Sequence, residues 1–291
     1  MEKIKEIRAK SILVKSRLPD ADYVINPYIG CMIGCAYCYA SFMGRFVNKK
    51  IEDWGEYVYA KVNAVEVFRK DLRALPIKER DASIFISSVT DPYQVAELKY
   101  KLTRGILSIL EKEKYPGEVA VQTKSNLVLR DVDILKNLPN AEVGMTVTVT
   151  DDALSRIFEV RAPSSSVRLD TLRKLRENGL RTYAFIGPLL PHVAKKPELL
   201  EKLFEDVAEV VDSVYVEHIN LKPYIRKRLW DTVVSKEPEE VQKAYVEAES
   251  EEYRKELGII VERLVKKHRL KLRFSGVIHH DTFSQLVGKK A

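Results

Sequence analysis

Between residues 23 and 217, short apolar runs rich in β-branched and aromatic residues alternate with amphipathic segments of helical period. The runs cover residues 23–29, 83–88, 118–123, 142–148, 181–186 and 213–217, and helical segments at 64–75, 99–112, 130–138, 166–178 and 197–210 separate them. Such alternation implies right-handed β-α crossovers and a parallel sheet. A closed barrel has eight such strands, so six predict an open, partial (β/α)6 barrel of the α/β class. In that architecture the residues just after each strand face one cavity.

The 291 residues suffice for one large core. They are expected to divide into an N-terminal extension (1–22), the barrel core (23–221) and a C-terminal helical cap (222–291). Within the cap, 237–267 reads as a long amphipathic helix broken near Gly258, and 271–274 as a final strand. Asn63 stands where it would cap the helix that starts at 64. No apolar run is long enough to span a bilayer, and the start Met1-Glu2-Lys3-Ile4-Lys5 is charged rather than signal-like, so a cytoplasmic protein without a membrane partner is expected. There is no Gly-rich phosphate loop and no internal repeat.

All three cysteines fall in residues 26–40: Cys31, Cys35 and Cys38, spaced by three residues and then two. This leaves none for a disulfide, which suits a reducing compartment. A Cys-x-x-Cys pair alone also serves in zinc knuckles and redox dithiols. No His lies within about thirty residues to complete a zinc site, and a dithiol would leave Cys31 unexplained. Three thiolates on a short loop can ligate three irons of a four-iron four-sulfur (4Fe-4S) cluster, which leaves the fourth iron open. S-adenosylmethionine, which chelates through its amino and carboxylate groups, fits that vacancy.

Polar residues follow the strands: Ser87-Ser88-Val89-Thr90-Asp91 after the second run, Thr123-Lys124-Ser125-Asn126 after the third, and Thr146-Val147-Thr148 at the fourth. A hydroxyl, an ammonium and a hydroxyl suit the ribose, carboxylate and amino groups of such a cofactor. Turn and capping roles are the competing reading for each.

Cys-x-x-x-Cys-x-x-Cys with Tyr37 before the last cysteine resembles the radical S-adenosylmethionine superfamily. Asn26-Pro27-Tyr28, Tyr37 and Tyr39 bracketing Cys38, and Thr90-Asp91-Pro92-Tyr93 are similar to the spore-photoproduct-lyase-like branch, whose members are often labelled DNA repair photolyases; the likeness runs from about residue 11 to about 223. The resemblance implies the same partial barrel, with a 4Fe-4S cluster on Cys31, Cys35 and Cys38. It implies S-adenosylmethionine contacts from Thr90, Lys124 and Thr146, with Tyr37 near the adenine. It also implies an external electron donor of the flavodoxin or ferredoxin kind. In such enzymes the reduced cluster passes one electron to the sulfonium, and the resulting 5'-deoxyadenosyl radical abstracts hydrogen from a substrate. Nucleic acid is the lead substrate class; a peptide, lipid or small metabolite is the alternative. A non-enzymatic iron-sulfur or zinc protein that binds nucleic acid is the alternative of another class.

The chain departs from that branch in two places. Glu159-Val160-Arg161 stands where the family more often has Glu-Pro, and Arg168 further on reads as the solvent face of a helix. Spore photoproduct lyases carry a fourth cysteine in the stretch matching residues 87–91, where it returns a hydrogen atom to the product; Ser88 stands there here. A serine O–H bond is too strong for that task; Tyr39 is the candidate catalytic hydrogen donor, another tyrosine could serve instead, or the reaction needs no such donor.

The net charge of +7 permits a polyanionic partner, although 31% charged residues with abundant Lys and Glu also resemble hyperthermophile composition. Lys222, Arg226, Lys227 and Arg228 around Tyr224 and Trp230 are what single-stranded or flipped-base binding needs, although a solvated helix start is the commoner source of such a run. His279-His280-Asp281 is a candidate metal or proton-transfer group set against an exposed-tail reading.

Overall fold

A computed structural model describes residues 3–279. These form two compact units: the first takes the chain up to Gly34, Ala40–Gly144 and Lys174–Arg181, the second Cys35–Tyr39, Met145–Arg173 and the chain from Thr182 on.

In the first unit, β1 (Ile4–Ile7) pairs parallel to β5 (Val58–Lys61), which also pairs antiparallel to β4 (Tyr28–Ile29). A second set begins with β2 (Leu13–Lys15), antiparallel to β3 (Tyr23–Ile25), and continues parallel through β6 (Ile84–Ile86) to β7 (Val119–Thr123). Val119, Val121 and Thr123 are buried while Ala120 and Gln122 are half-buried, the period of two that a pleated strand imposes. β8 (Ala141–Thr146) is buried at every residue, as expected of a strand covered on both faces. The helices Ala64–Arg73 and Leu102–Lys112 lay Phe68, Ile106, Leu107 and Leu110 into the core beside Ile84, Val119 and Val121.

Side chains tie the segment expected to be an extension into this unit. Asp71 Oδ2 accepts from the backbone N–H groups of Ile12 (2.7 Å) and Leu13 (3.1 Å). Asn63 occupies the N-cap position but does not cap its own helix; its amide bonds both polar groups of the Ala9 backbone, at 2.8 and 2.9 Å. Glu97 and Asp131, both fully buried, pair with Arg130 at 2.8 Å each, Arg104 brings the second positive charge 2.7 Å from Asp131, and Tyr28 and Tyr93 donate to the two carboxylates at 2.5 and 3.0 Å. Buried carboxylates persist only when paired and hydrogen-bonded in this way.

In the second unit, β9 (Arg181–Leu189), β10 (Ser213–His218) and β11 (Lys271–Leu272) run parallel, and the β9–β10 register shifts between Val216 and His218. Pro197–Ala208 buries Leu200, Leu203, Phe204 and Val207 at helical spacing. The long C-terminal helix expected to break near Gly258 breaks earlier. Glu239–Glu247 ends, Ser250 accepts from Tyr253 N at 3.1 Å as a new N-cap, and Glu251–Lys267 passes Gly258 without interruption. Glycine costs a helix interior only about 1 kcal/mol, whereas a serine cap supplies a start signal. Among the described residues no helix is long and apolar enough to cross a membrane.

Candidate active site

The cysteine loop follows β4, as expected. Gly30 and Gly34 precede Cys31 and Cys35 directly, and both lie at positive φ (+86° and +69°). At Gly30 a Cβ would stand 2.4 Å from the Tyr57 carbonyl oxygen, so no other residue fits without displacing the backbone. Cys31 and Cys35 are buried, Cys38 is half-buried, and no disulfide joins them.

Polar side chains hold the backbone of this loop. In the first unit, Gly30 O accepts from Thr90 Oγ1 (2.6 Å) and Gln94 Nε2 (3.1 Å), while Met32 N donates to Gln94 Oε1 (3.0 Å). In the second, Cys38 N donates to Cys35 O (3.2 Å) and Ala36 N to Phe158 O (2.8 Å). Arg228 Nη1 donates to the carbonyls of Cys35 (2.8 Å) and Ala36 (2.7 Å), and Tyr224 Oη donates to Tyr39 O (3.1 Å). The loop is shaped through its peptide groups, and three thiols on it can each bind a different iron of a cubane. Among the described residues no three His, Cys, Asp or Glu side chains are arranged around a single ion.

Two side chains, Asn26 and Asp91, organise the strand-end residues. Asn26 Oδ1 accepts from Ser88 N and Val89 N, both at 3.0 Å, and its amide donates to Ser88 Oγ at 3.1 Å. Buried Asp91 accepts from Thr123 Oγ1 (2.7 Å), Lys124 N (2.8 Å) and Tyr93 N (2.9 Å). Burial pushes its carboxyl above the ordinary Asp value, and these donors act against that rise. Asp91 therefore ties Thr90 and Lys124 together where the parallel neighbours β6 and β7 end. Thr146 closes β8 as a buried residue.

Glu159 and Arg168 form a pair that sequence reasoning missed. Arg168 was expected on a solvent face; it is fully buried. Its guanidinium binds Glu159, Ser155 Oγ (2.8 Å) and the Thr146 carbonyl (2.8 Å). Glu159 also accepts from Ser155 Oγ (3.1 Å) and from the hydroxyl of Tyr37 on the cysteine loop. Burial and the Glu159 charge push the Tyr37 phenol well above its ordinary value, so it stays a protonated donor. The available signal is register: Arg168 shares a helix face with Ser165, Thr171 and Leu172, all buried.

The basic run on Pro223–Thr232 also needs correction. Arg228 is only 8% exposed and lies on the buried face with Ile225 and Leu229. Arg226 pairs with Glu249 at 2.7 Å and Lys227 with Asp231 at 2.6 Å, lining an open cleft of about 470 Å³ with Leu221, Pro223 and Trp230. Tyr39 is 39% exposed. Of the terminal histidine motif, His279 packs 5.2 Å from buried His218, ring to ring; His280 and Asp281 lie outside the described residues.

The profile of the Radical SAM superfamily matches residues 25–203, a stretch that contains the cysteine loop. An uncharacterized protein of Methanocaldococcus jannaschii is 36% identical over 217 residues, which cover 75% of this chain and 78% of that protein. Spore photoproduct lyase complexed with dinucleoside spore photoproduct superposes with a TM-score of 0.70 at 15% identity, over 94% of this chain and 82% of that one. SuiB of Streptococcus suis bound to the precursor peptide SuiA gives 0.55 at 14% identity, over 92% of this chain and 50% of that one.

Proposed function

The chain belongs to the radical S-adenosylmethionine superfamily, and from that premise we propose that Cys31, Cys35 and Cys38 carry its cluster and that the substrate is nucleic acid. The fold is the α/β partial barrel of that superfamily, the protein is an enzyme, and its cofactors are a 4Fe-4S cluster and S-adenosylmethionine. Such enzymes need an external electron donor. When bound, the two cofactors supply one-electron cleavage of a carbon–sulfur bond and thereby hydrogen abstraction from the substrate.

The loop that spaces three cysteines over eight residues, each of the first two set after a left-handed glycine, carries the assignment. The donor set fits the cluster: three thiols, no fourth cysteine in the chain, and a loop conformation fixed through the backbone. Lys124 takes the carboxylate of S-adenosylmethionine and Thr146 a polar edge of it. Thr90, whose hydroxyl is engaged with Gly30 O, serves the cofactor through the loop as well as by contact. Tyr37, anchored on Glu159, sets one wall of the adenine region. Tyr39, partly open to solvent at the end of the loop, would return the hydrogen atom that Ser88 cannot, its O–H bond breaking as the substrate C–H bond forms and the resulting tyrosyl radical taking one electron from the external donor and a proton from solvent.

Two observations support nucleic acid over a peptide: the net charge of +7, and a closer fold likeness to the lyase carrying a dinucleoside than to the peptide-bound enzyme (TM-score 0.70 against 0.55). Anaerobic reconstitution tests the cluster: about four irons and a visible spectrum perturbed by S-adenosylmethionine are expected, and Cys31→Ala, Cys35→Ala and Cys38→Ala should each abolish both. A single variant that kept full cleavage activity would remove that cysteine from the site. Incubation with deuterated nucleic acids and peptides tests the substrate, read as deuterium in 5'-deoxyadenosine; label from peptide alone would overturn the nucleic-acid assignment.

A further inference from the structure

The Pro223–Thr232 helix turns one face inward, and its buried positions are Ile225, Arg228 and Leu229. A guanidinium at a position patterned for an aliphatic side chain is costly to desolvate and persists where it makes strong, directed bonds. Here Nη1 spans the carbonyls of Cys35 and Ala36, at 2.8 and 2.7 Å, from a side chain only 8% exposed. The two peptide groups lie between the second and third cysteines, 192 and 193 residues away in sequence.

We infer that Arg228 is a positioning residue for the iron-sulfur centre: it fixes the Cys35–Cys38 turn and places a buried positive charge beside it that favours the reduced state. This rests on the assignment of the cluster to the three cysteines. One-electron reduction adds a negative charge to the centre, and a nearby cation in a poorly screened environment stabilises the more negative state. Burial, charge and hydrogen bonding around the sulfurs are the terms through which a protein sets such a potential.

The test is an anaerobic redox titration followed by electron paramagnetic resonance, without S-adenosylmethionine, on reconstituted wild type, Arg228→Met, Arg228→Gln and Arg228→Lys. Met keeps the buried face apolar and Gln can still bond one carbonyl, so at least one charge-free variant is expected to fold, as judged by circular dichroism. With iron and sulfide at wild-type content, the charge-free variants should show a tenfold lower reduced-to-oxidised ratio at a fixed ambient potential, equivalent to 59 mV for a one-electron couple. Arg228→Lys, which keeps the charge but not the two-carbonyl fork, should stay within about threefold of wild type and lose iron to a chelator faster. A charge-free variant at the wild-type potential, or a Lys variant displaced as far as Met, would overturn the inference. Should the wild type take up no cluster, or should the three Cys→Ala variants keep theirs, it is the cluster assignment that fails instead.

Discussion

The carboxylate of Glu159 and the guanidinium of Arg168 meet with neither side chain exposed to solvent, and Tyr37 on the cysteine loop donates its hydroxyl to the same carboxylate. Removing one partner of such a pair leaves an uncompensated buried charge. Arg168→Met or Glu159→Leu alone should each destabilise the apoprotein by about 3–5 kcal/mol, whereas the double variant should recover much of the loss. Urea denaturation of the four proteins measures this; additive single losses would mean that the pair is not a coupled unit.

Gly30 combines a left-handed backbone with a Tyr57 carbonyl where a Cβ would stand. Gly30→Ala should cost about 1–2 kcal/mol from the backbone conformation alone, and more from the clash. The signature to measure is reduced iron retention after reconstitution, beyond what the global loss of stability explains. Full iron content at wild-type stability would show that the loop tolerates a different backbone there.

If Tyr39 returns the hydrogen atom, Tyr39→Phe should leave the cluster spectrum and S-adenosylmethionine binding intact while lowering product formed per 5'-deoxyadenosine. Unchanged turnover on the true substrate would reduce Tyr39 to a packing residue. Because Ser88 supplies no thiol, the wild type should cleave S-adenosylmethionine yet fail to repair spore photoproduct cleanly, and catalytic repair in a product assay would defeat that expectation.

Nucleic-acid affinity carried by phosphate contacts should fall by orders of magnitude between about 50 and 200 mM salt. Arg228 is committed to the loop, so the surface variant that tests the cleft is Arg226→Ala with Lys227→Ala, and it should flatten the slope by roughly two contacts. Salt-independent binding, measured by fluorescence anisotropy, would instead favour the thermal explanation of the charge.

His192 stacks on Phe158 with ring centroids 5.4 Å apart, and burial, with Lys196 adding to it, lowers its pKa from 6.5 to about 4. The unfolded chain therefore takes up a proton from about pH 6.5 downward, whereas the folded one does so only near pH 4. The stability linked to this group is fully present above pH 6.5 and is lost across that window, roughly 3 kcal/mol in all. His192→Phe should flatten the pH dependence of the denaturation midpoint between pH 4 and 6.5, and an unchanged slope would assign the acid sensitivity elsewhere.

The strand rhythm and the cysteine loop were legible because each has a local signature: apolar runs of the right length, and thiols at a spacing few other sites use. Residues 1–22 were not, since β1 and β2 are three or four residues long in charged sequence, and β1 is fixed by pairing with β5, the Ala9 linker by Asn63 and the start of β2 by Asp71. Arg168 and Arg228 were misread because a window of neighbours sees only charge. Their helical registers, with Thr171 and Leu172 in one case and Ile225 and Leu229 in the other, assign them inward. What a buried charge binds is settled by residues far away in sequence, and no local pattern encodes that.

The partners of the Cys35–Tyr39 segment include Phe158, Glu159, Tyr224 and Arg228, so more than a hundred residues must follow the cysteines before the turn can take its shape. During synthesis at about 5–20 residues per second, the thiols leave the ribosome at least several seconds ahead of the side chains that organise them. A cluster held by Cys31, Cys35 and Cys38 would therefore meet its organised turn only once the chain has been made as far as residue 228.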